Sequence, residues 1–298
     1  MSGIIVLGGE GMLGHKVFQT LERQFPDTAC TVRSRLDEPF YGRIDLYRPE
    51  RVIAGVDALD LDGLTRLLEE RQPDVVVNCI GIIKQRDEAQ RAIPSITINS
   101  LLPHRLAAAA ATWGGRVIHF STDCVFSGRR GAYVEDDFSD AEDLYGRSKY
   151  LGEVGAENAL TLRTSIIGRE LSEFRSLLEW FLAQKSKEVH GFTRHFWSGV
   201  STNHLATLVG DIIAEHSQLS GVYQVSSGTI NKHELLTLLR DAFRLDVEIV
   251  PDDREFCDRS LNGDRFREAT GYVCPSWAEL ATELAADPTP YSSWRLDQ

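Results

Sequence analysis

The chain holds 298 residues, 42% of them hydrophobic, enough for a substantial core in one large or two modest domains. A net charge of −12 and a pI of about 5.2 argue against nucleic acid or an anionic membrane as the main partner. No apolar run approaches the roughly 18 residues of a membrane span, and the first strand begins too early to leave room for a signal peptide. Five scattered cysteines without a CxxC spacing read as reduced thiols, so a cytoplasmic protein is expected. The eight histidines lack metal-ligating spacing, and no metal is expected.

Residues 3–8 form a short apolar run suited to a buried parallel strand. The run breaks into Gly8-Gly9-Glu10-Gly11-Met12-Leu13-Gly14, and a helix follows whose Met12, Val17, Phe18 and Leu21 can face a sheet. Strand, glycine turn and helix together predict a dinucleotide site; the alternative is a glycine-rich turn packed against a neighbouring helix. Glycines let the backbone approach a pyrophosphate and aim helix N-terminal N–H groups at it. Gly8, Gly11, Met12, Leu13 and Gly14 are the candidate contacts. The second predicted strand is 28–32. An NAD site needs an acid just past it for the ribose 2′-hydroxyl. This chain has Arg33-Ser34-Arg35 there, and guanidinium groups suit a 2′-phosphate. NADPH is the expected cofactor, with NADH left open; the alternative is an exposed basic loop.

Further along, a helix near 61–71 precedes a strong strand at 74–78, which exits into Asn78-Cys79-Ile80-Gly81. A helix over 98–113, a strand over 116–121, a long acidic loop, a helix containing Tyr145 and a strand over 160–164 follow. This alternation predicts a doubly wound parallel sheet, with ligands beyond the carboxyl ends of the strands. The glycine turn, residues 78–81 and Ser121-Thr122-Asp123 all fall there. After Ser165 the pattern gives helices over 171–186, 204–216, 232–243 and 277–285 and strands over 221–227 and 247–250. The predicted division is 1–165 plus about 197–227 as the dinucleotide-binding domain. About 166–196 and 228–298 form a smaller C-terminal α/β cap.

Tyr145-Gly-Arg-Ser-Lys149 puts a phenol and an ammonium on one helical face. A nearby ammonium favours phenolate, which predicts a Tyr145 pKa lowered from its usual ~10. Such a tyrosine can protonate a carbonyl oxygen as hydride reaches its carbon. Lys84 and Arg86 leave the 74–78 strand toward the cleft and suit a diphosphate, though a loop charge pair is often merely solvated. Phe192, His195, Phe196 and Trp197 suit a stacked base or a domain core. The acids of the loop before Tyr145 read as a solvated surface.

Gly8-x-x-Gly11-x-x-Gly14, Asn78-Cys-Ile-Gly81, Phe120-Ser-Thr-Asp-Cys-Val-Phe126-x-Gly128 and Tyr145-x-x-x-Lys149 have the order and spacing of extended short-chain dehydrogenases. The Ser-Thr-Asp-x-Val-Phe segment resembles the dTDP-4-dehydrorhamnose reductases and their relatives. The resemblance implies a Rossmann fold and NADPH-dependent reduction of the 4-keto group of a nucleotide-diphospho-6-deoxyhexose. It maps the chemistry onto Thr122, Tyr145 and Lys149. It adds Asp57 and Ala58 at the adenine, and Cys79, Ile80 and Gly81 along the cofactor. Ser121, Asp123, Lys84, Arg194, Trp197 and Arg259 are the expected substrate contacts. Cys124 stands where the family often has Tyr. Dehydratases of this fold carry Asp-Glu after the Thr; Asp123-Cys124 here disfavours dehydration. The alternatives are an epimerase of the same fold and a non-catalytic regulatory subunit like that of methionine adenosyltransferase. The expected partner is a nucleotide sugar, and a homodimer is left open.

Overall fold

Residues 3–83, 91–184 and 186–295 are described in a computed structural model. The first half alternates as predicted. It runs β1 (Ile4–Leu7), α1 (Gly14–Gln24), β2 (Thr28–Thr31), β3 (Val52–Ile53), α2 (Leu61–Arg71) and β4 (Val75–Asn78). Then come α3 (Ala92–Ser95), a π-helical stretch (Ile96–Leu101), α4 (Leu102–Ala111), β5 (Arg116–Thr122), α5 (Leu144–Leu151) and β6 (Ala159–Thr164). The second half contributes β7 (Ile166–Ile167), α6 (Leu177–Leu182), β8 (Lys187–Phe192), β9 (His195–Trp197), β10 (Val200–Ser201), α7 (Thr202–Glu215) and β11 (Gly221–Gln224). It ends with β12 (Ile230–Asn231), α8 (Lys232–Phe243), β13 (Val247–Asp252), β14 (Cys257–Asp258), α9 (Asp264–Thr270), α10 (Trp277–Ala285) and α11 (Tyr291–Trp294).

Seven strands form one sheet in the order β11-β6-β5-β4-β1-β2-β3, and every neighbouring pair is parallel. The two-residue strand period sorts its side chains. Ile4, Val6, Val75, Val77, Ile118 and Phe120 face one core, under α1 and α7. Ile5, Leu7, Val76 and Val117 face the other, under α2 and α4. Phe18 and Leu21 of α1 are fully buried, each burial contributing about 1.5–3 kcal/mol. A third core gathers Leu178, Phe181, Trp197, Leu235, Leu239 and Trp277 from α6, β9, α8 and α10.

Local chemistry explains the well-predicted helices. Asp60, Asn231 and Ser276 cap α2, α8 and α10 by accepting from the third helical N–H, and Ser276 with Glu279 forms a full capping box. The predicted helix over 171–186 shrinks to α6, because Glu173 and Phe174 take positive φ and cannot continue a helical turn. Two further departures concern the two ends of the chain. Phe266 of α9 and Tyr291 and Trp294 of α11 enter the core beneath α1 rather than the third core. Lys16 holds that last segment, its ammonium donating to both Asp287 carboxylate oxygens at 3.0 and 2.8 Å and to Thr289 at 2.9 Å. Met12, predicted on the sheet-facing stripe, lies instead in the turn ahead of α1.

Candidate active site

The strand order reverses between β1 and β4, and a cleft of about 400 Å³ opens beyond their carboxyl ends. Open parallel sheets place ligands at such a reversal. One wall is the glycine turn. It is stitched to β2 by Gly9 N–H donating to the Thr31 carbonyl at 2.8 Å and Gly8 N–H to Thr31 Oγ1 at 3.1 Å. A Cβ on Gly14 would sit 2.0 Å from the Gly8 carbonyl oxygen, so only glycine lets α1 start this close to the turn. Ring side chains hold the next three residues. Tyr47 donates to the Gly9 carbonyl at 2.7 Å, Tyr41 to the Glu10 carboxylate, and His15 Nδ1 meets the Gly11 carbonyl at 2.9 Å. Gly11, Met12 and Leu13 line the cleft at the start of α1, where the first N–H groups of a helix lack helical partners.

The opposite wall is the end of β5 with α5. Thr122 Oγ1 accepts from Cys124 N–H at 3.1 Å and donates to Asp123 Oδ1 at 3.1 Å. Asp143 caps α5 through Gly146 N–H at 2.8 Å. A Cβ on Gly146 would lie 2.2 Å from the Cys124 carbonyl, so this glycine lets α5 press against the turn after β5 and sets Tyr145 in the same cleft as Thr122. One helical turn on, Lys149 Nζ donates to the Phe120 carbonyl at 2.6 Å and lies 3.4 Å from His119 Nε2. Beneath α5, Asn99 ties the strand exit to the helix. Its amide accepts from Ile82 N–H at 2.9 Å and donates to Ser148 Oγ at 3.1 Å.

Burial dominates the electrostatics. It pushes the Tyr145 phenol up, helped by the neighbouring Cys124 and opposed by the Thr122 hydrogen bond. This reverses the predicted lowering, because loss of water on burial is the largest influence on the phenol. Burial also lowers Lys149 to about 8, with Glu153 opposing. Asp123 is raised by burial, with Arg259 and Lys232 pulling it back. The Cys79 thiol is pushed up by burial alone. On the third side, the Lys232 ammonium stands 4.1 Å from the Trp197 ring centroid, and that ring packs on Trp277 at 5.0 Å.

Residues 1–264 match the family model described as RmlD substrate binding domain. The chain belongs to that family. Among curated relatives it is 30% identical over 187 residues to the spore coat polysaccharide biosynthesis protein SpsK of Bacillus subtilis, covering 60% of this chain and 64% of that one. It is 28% identical over 238 residues to a dTDP-4-dehydrorhamnose reductase of Burkholderia thailandensis, covering 75% and 72%. It is 25% identical over 257 residues to methionine adenosyltransferase 2 subunit beta of Danio rerio, covering 81% and 74%. The chain thus spans 64% of SpsK and 72–74% of the other two. The fold is shared with a Bacillus anthracis dTDP-4-dehydrorhamnose reductase solved in complex with NADP. The TM-score is 0.74 at 19% identity over 96% of this chain and 99% of that one.

Twelve residues predicted for a site of this RmlD family meet in the cleft: Gly11, Met12, Leu13, Cys79, Ile80, Gly81, Ser121, Thr122, Asp123, Tyr145, Lys149 and Trp197. Ser121 spends its hydrogen on Glu153 at 2.6 Å, inside a buried ion pair with Arg163 at 2.6 Å. Gly8 and Gly14 shape the turn from beneath without lining the cleft. Arg33, Ser34 and Arg35 follow β2 outside the cleft wall, with both arginines exposed. Asp57 and Ala58 also lie outside it, and Asp57 accepts from Leu59 N–H at 3.0 Å in its own loop.

Two predicted substrate cations do not line the cleft wall. Arg194 is exposed in the turn between β8 and β9, 5.5 Å over the Phe256 ring. Arg259 lines a separate hollow of about 380 Å³ and donates to the Phe126 carbonyl at 3.0 Å. Lys84 and Arg86 lie outside the described residues. Phe192 and His195 stack on each other at 4.4 Å rather than lining the cleft. The acidic loop is structural rather than merely solvated: Glu135 accepts from Gln224 N–H at 2.9 Å and Asp140 from Ser127 N–H at 2.7 Å. Sequence reasoning missed Lys232, Glu10 and Glu170, which line the cleft. Lys232 directly follows the Asn231 cap, a position at the mouth of a predicted helix that flagged it only in hindsight. Among the described residues there is no cluster of metal-ligating groups and no helix long and apolar enough to cross a membrane.

Proposed function

We propose that the protein is an NADPH-dependent reductase of the 4-keto group of a nucleotide-diphospho-6-deoxyhexose. The observation that carries this reading is one cleft with Gly11, Met12 and Leu13 on one wall and Thr122, Tyr145 and Lys149 on the other. The turn suits a dinucleotide: no side chain intervenes at Gly11, and the start of α1 offers N–H donors to a pyrophosphate. Arg33 and Arg35 support a 2′-phosphate, and NADH remains the alternative cofactor. We take residues 1–165 with 197–227, joined by α9 and α11, as the dinucleotide-binding unit and the remainder as the cap. The acidic chain favours a small nucleotide sugar over nucleic acid as partner, and a cytoplasmic enzyme, monomeric or homodimeric, is the working expectation.

A bound nicotinamide supplies the hydride. Tyr145, kept protonated by burial, donates its proton to the developing alkoxide. Thr122, in the same cleft as Tyr145, orients that oxygen. Lys149 stays largely charged at neutral pH and holds the nicotinamide ribose while its own carbonyl contact fixes its reach. Asp123 and Lys232 face the sugar, and Trp197 gives it an apolar floor. The similarity to methionine adenosyltransferase 2 subunit beta favours a second reading, a non-catalytic dinucleotide-binding subunit. The test is NADPH oxidation against a panel of 4-keto sugar nucleotides. Reduction of one of them supports the enzyme. Tight NADPH binding with no ketone reduced moves the second reading ahead, and no dinucleotide binding sinks both.

A further inference from the structure

Of the three ring side chains holding the glycine turn, one is backed from the far end of the chain. His15 Nδ1 lies 2.9 Å from the Gly11 carbonyl oxygen, and its Nε2 lies 2.8 Å from the Tyr291 hydroxyl. A carbonyl only accepts, so Nδ1 carries the hydrogen and Nε2 accepts from Tyr291. The ring is wholly buried, and burial lowers its pKa to about 4, which keeps it neutral at neutral pH.

The Gly11 carbonyl therefore accepts twice, from His15 Nδ1–H and from His15 backbone N–H at 3.1 Å. A peptide is planar and trans, so fixing this carbonyl fixes the Met12 N–H in the opposite direction. Gly11 and Met12 both line the cleft, and Met12 precedes the first turn of α1. A doubly accepting carbonyl also polarises its peptide and makes that N–H a stronger donor. Tyr291 is itself clamped. The Arg169 and Arg295 guanidinium groups lie 4.8 and 5.1 Å from its ring centroid. Nothing in the glycine spacing calls for a histidine at 15 or a tyrosine at 291.

Resting on the dinucleotide reading above, we propose that His15 and Tyr291 are positioning residues for the dinucleotide pyrophosphate, holding the Gly11–Met12 peptide so that the Met12 N–H faces the cleft. The test is fluorescence titration of the full chain with NADPH, with thermal unfolding followed alongside. His15→Leu weakens binding about 10-fold and Tyr291→Phe, which keeps the packed ring, about 3- to 10-fold. The double variant binds no more weakly than His15→Leu, because Tyr291 acts through His15. In turnover assays the change falls mainly on KM for NADPH rather than on kcat. Single variants within about twofold of wild type in affinity, or a double variant that adds the two losses, overturn the proposal. A wild type that binds no dinucleotide overturns the function reading and this inference with it. A wild type that binds, with variants that match it, overturns this inference alone.

Discussion

Lys149 Nζ donates to the Phe120 carbonyl across 2.6 Å, pinning the helix of the tyrosine motif to the strand that delivers Thr122. The ammonium is buried there, and its pKa of about 8 lies below the usual lysine value. The unfolded chain therefore binds more protons than the folded one between about pH 8 and 10, and this group's contribution to stability rises with pH across that window. Below it, the charged and buried ammonium contributes least. Lys149→Met removes the dependence. Between about pH 7 and 9.5, urea unfolding should show wild type gaining about 1–3 kcal/mol relative to the variant. A constant difference would mean the ammonium is solvated.

Tyr145→Phe keeps the ring and removes the proton. Turnover should fall by at least ~10²-fold, the usual weight of general acid catalysis, with NADPH affinity nearly unchanged. Stopped-flow and equilibrium titration separate the two. Wild-type turnover in the variant would remove Tyr145 from the chemistry.

Arg33→Ala with Arg35→Ala should weaken NADPH binding about 10-fold or more and leave NADH nearly unaffected, since only NADPH carries a 2′-phosphate. Arg35 is already near Asp37 at 3.3 Å, an exposed pair of little strength, so it is available to a ligand. Equal affinity of wild type for both dinucleotides would reduce these arginines to surface decoration.

Gly146→Ala adds a methyl 2.2 Å from the Cys124 carbonyl. The helix must retreat, at about 1–3 kcal/mol of stability. Tyr145 moves with it, so turnover should drop by about 10²-fold while NADPH still binds. A variant with normal melting and normal turnover would show that α5 has slack against the turn.

The glycine turn, the parallel sheet and the Tyr145–Lys149 face were legible because each is written locally. Glycine spacing, apolar runs and i, i+4 placement need no distant partner. The helices α2, α8 and α10 were legible as periodic runs, and the structure adds their caps, Asp60, Asn231 and Ser276. What failed depends on long-range burial. The Tyr145 pKa was read with the wrong sign because proximity to Lys149 is visible in sequence and desolvation is not. Arg194 and Arg259 were assigned to the cleft by analogy, yet Arg194 sits in the turn between β8 and β9 and Arg259 lines a second hollow. The polar face of α1, with His15 and Lys16 buried, made no sense until residues 287–291 supplied its partners.

The segment from Tyr291 to Arg295 touches both sides of the cleft. Tyr291 reaches the glycine turn through His15, while Arg295 donates to the Glu170 carbonyl at 2.7 Å and pairs with Glu179 on the far side. It works as a tether between the two banks. A wide swing of one bank from the other would have to tear out a guanidinium, a stacked ring and a buried imidazole together. Ligand exchange is thereby steered toward small local adjustments at the rim, and the gap between the banks becomes a built-in length rather than a variable one.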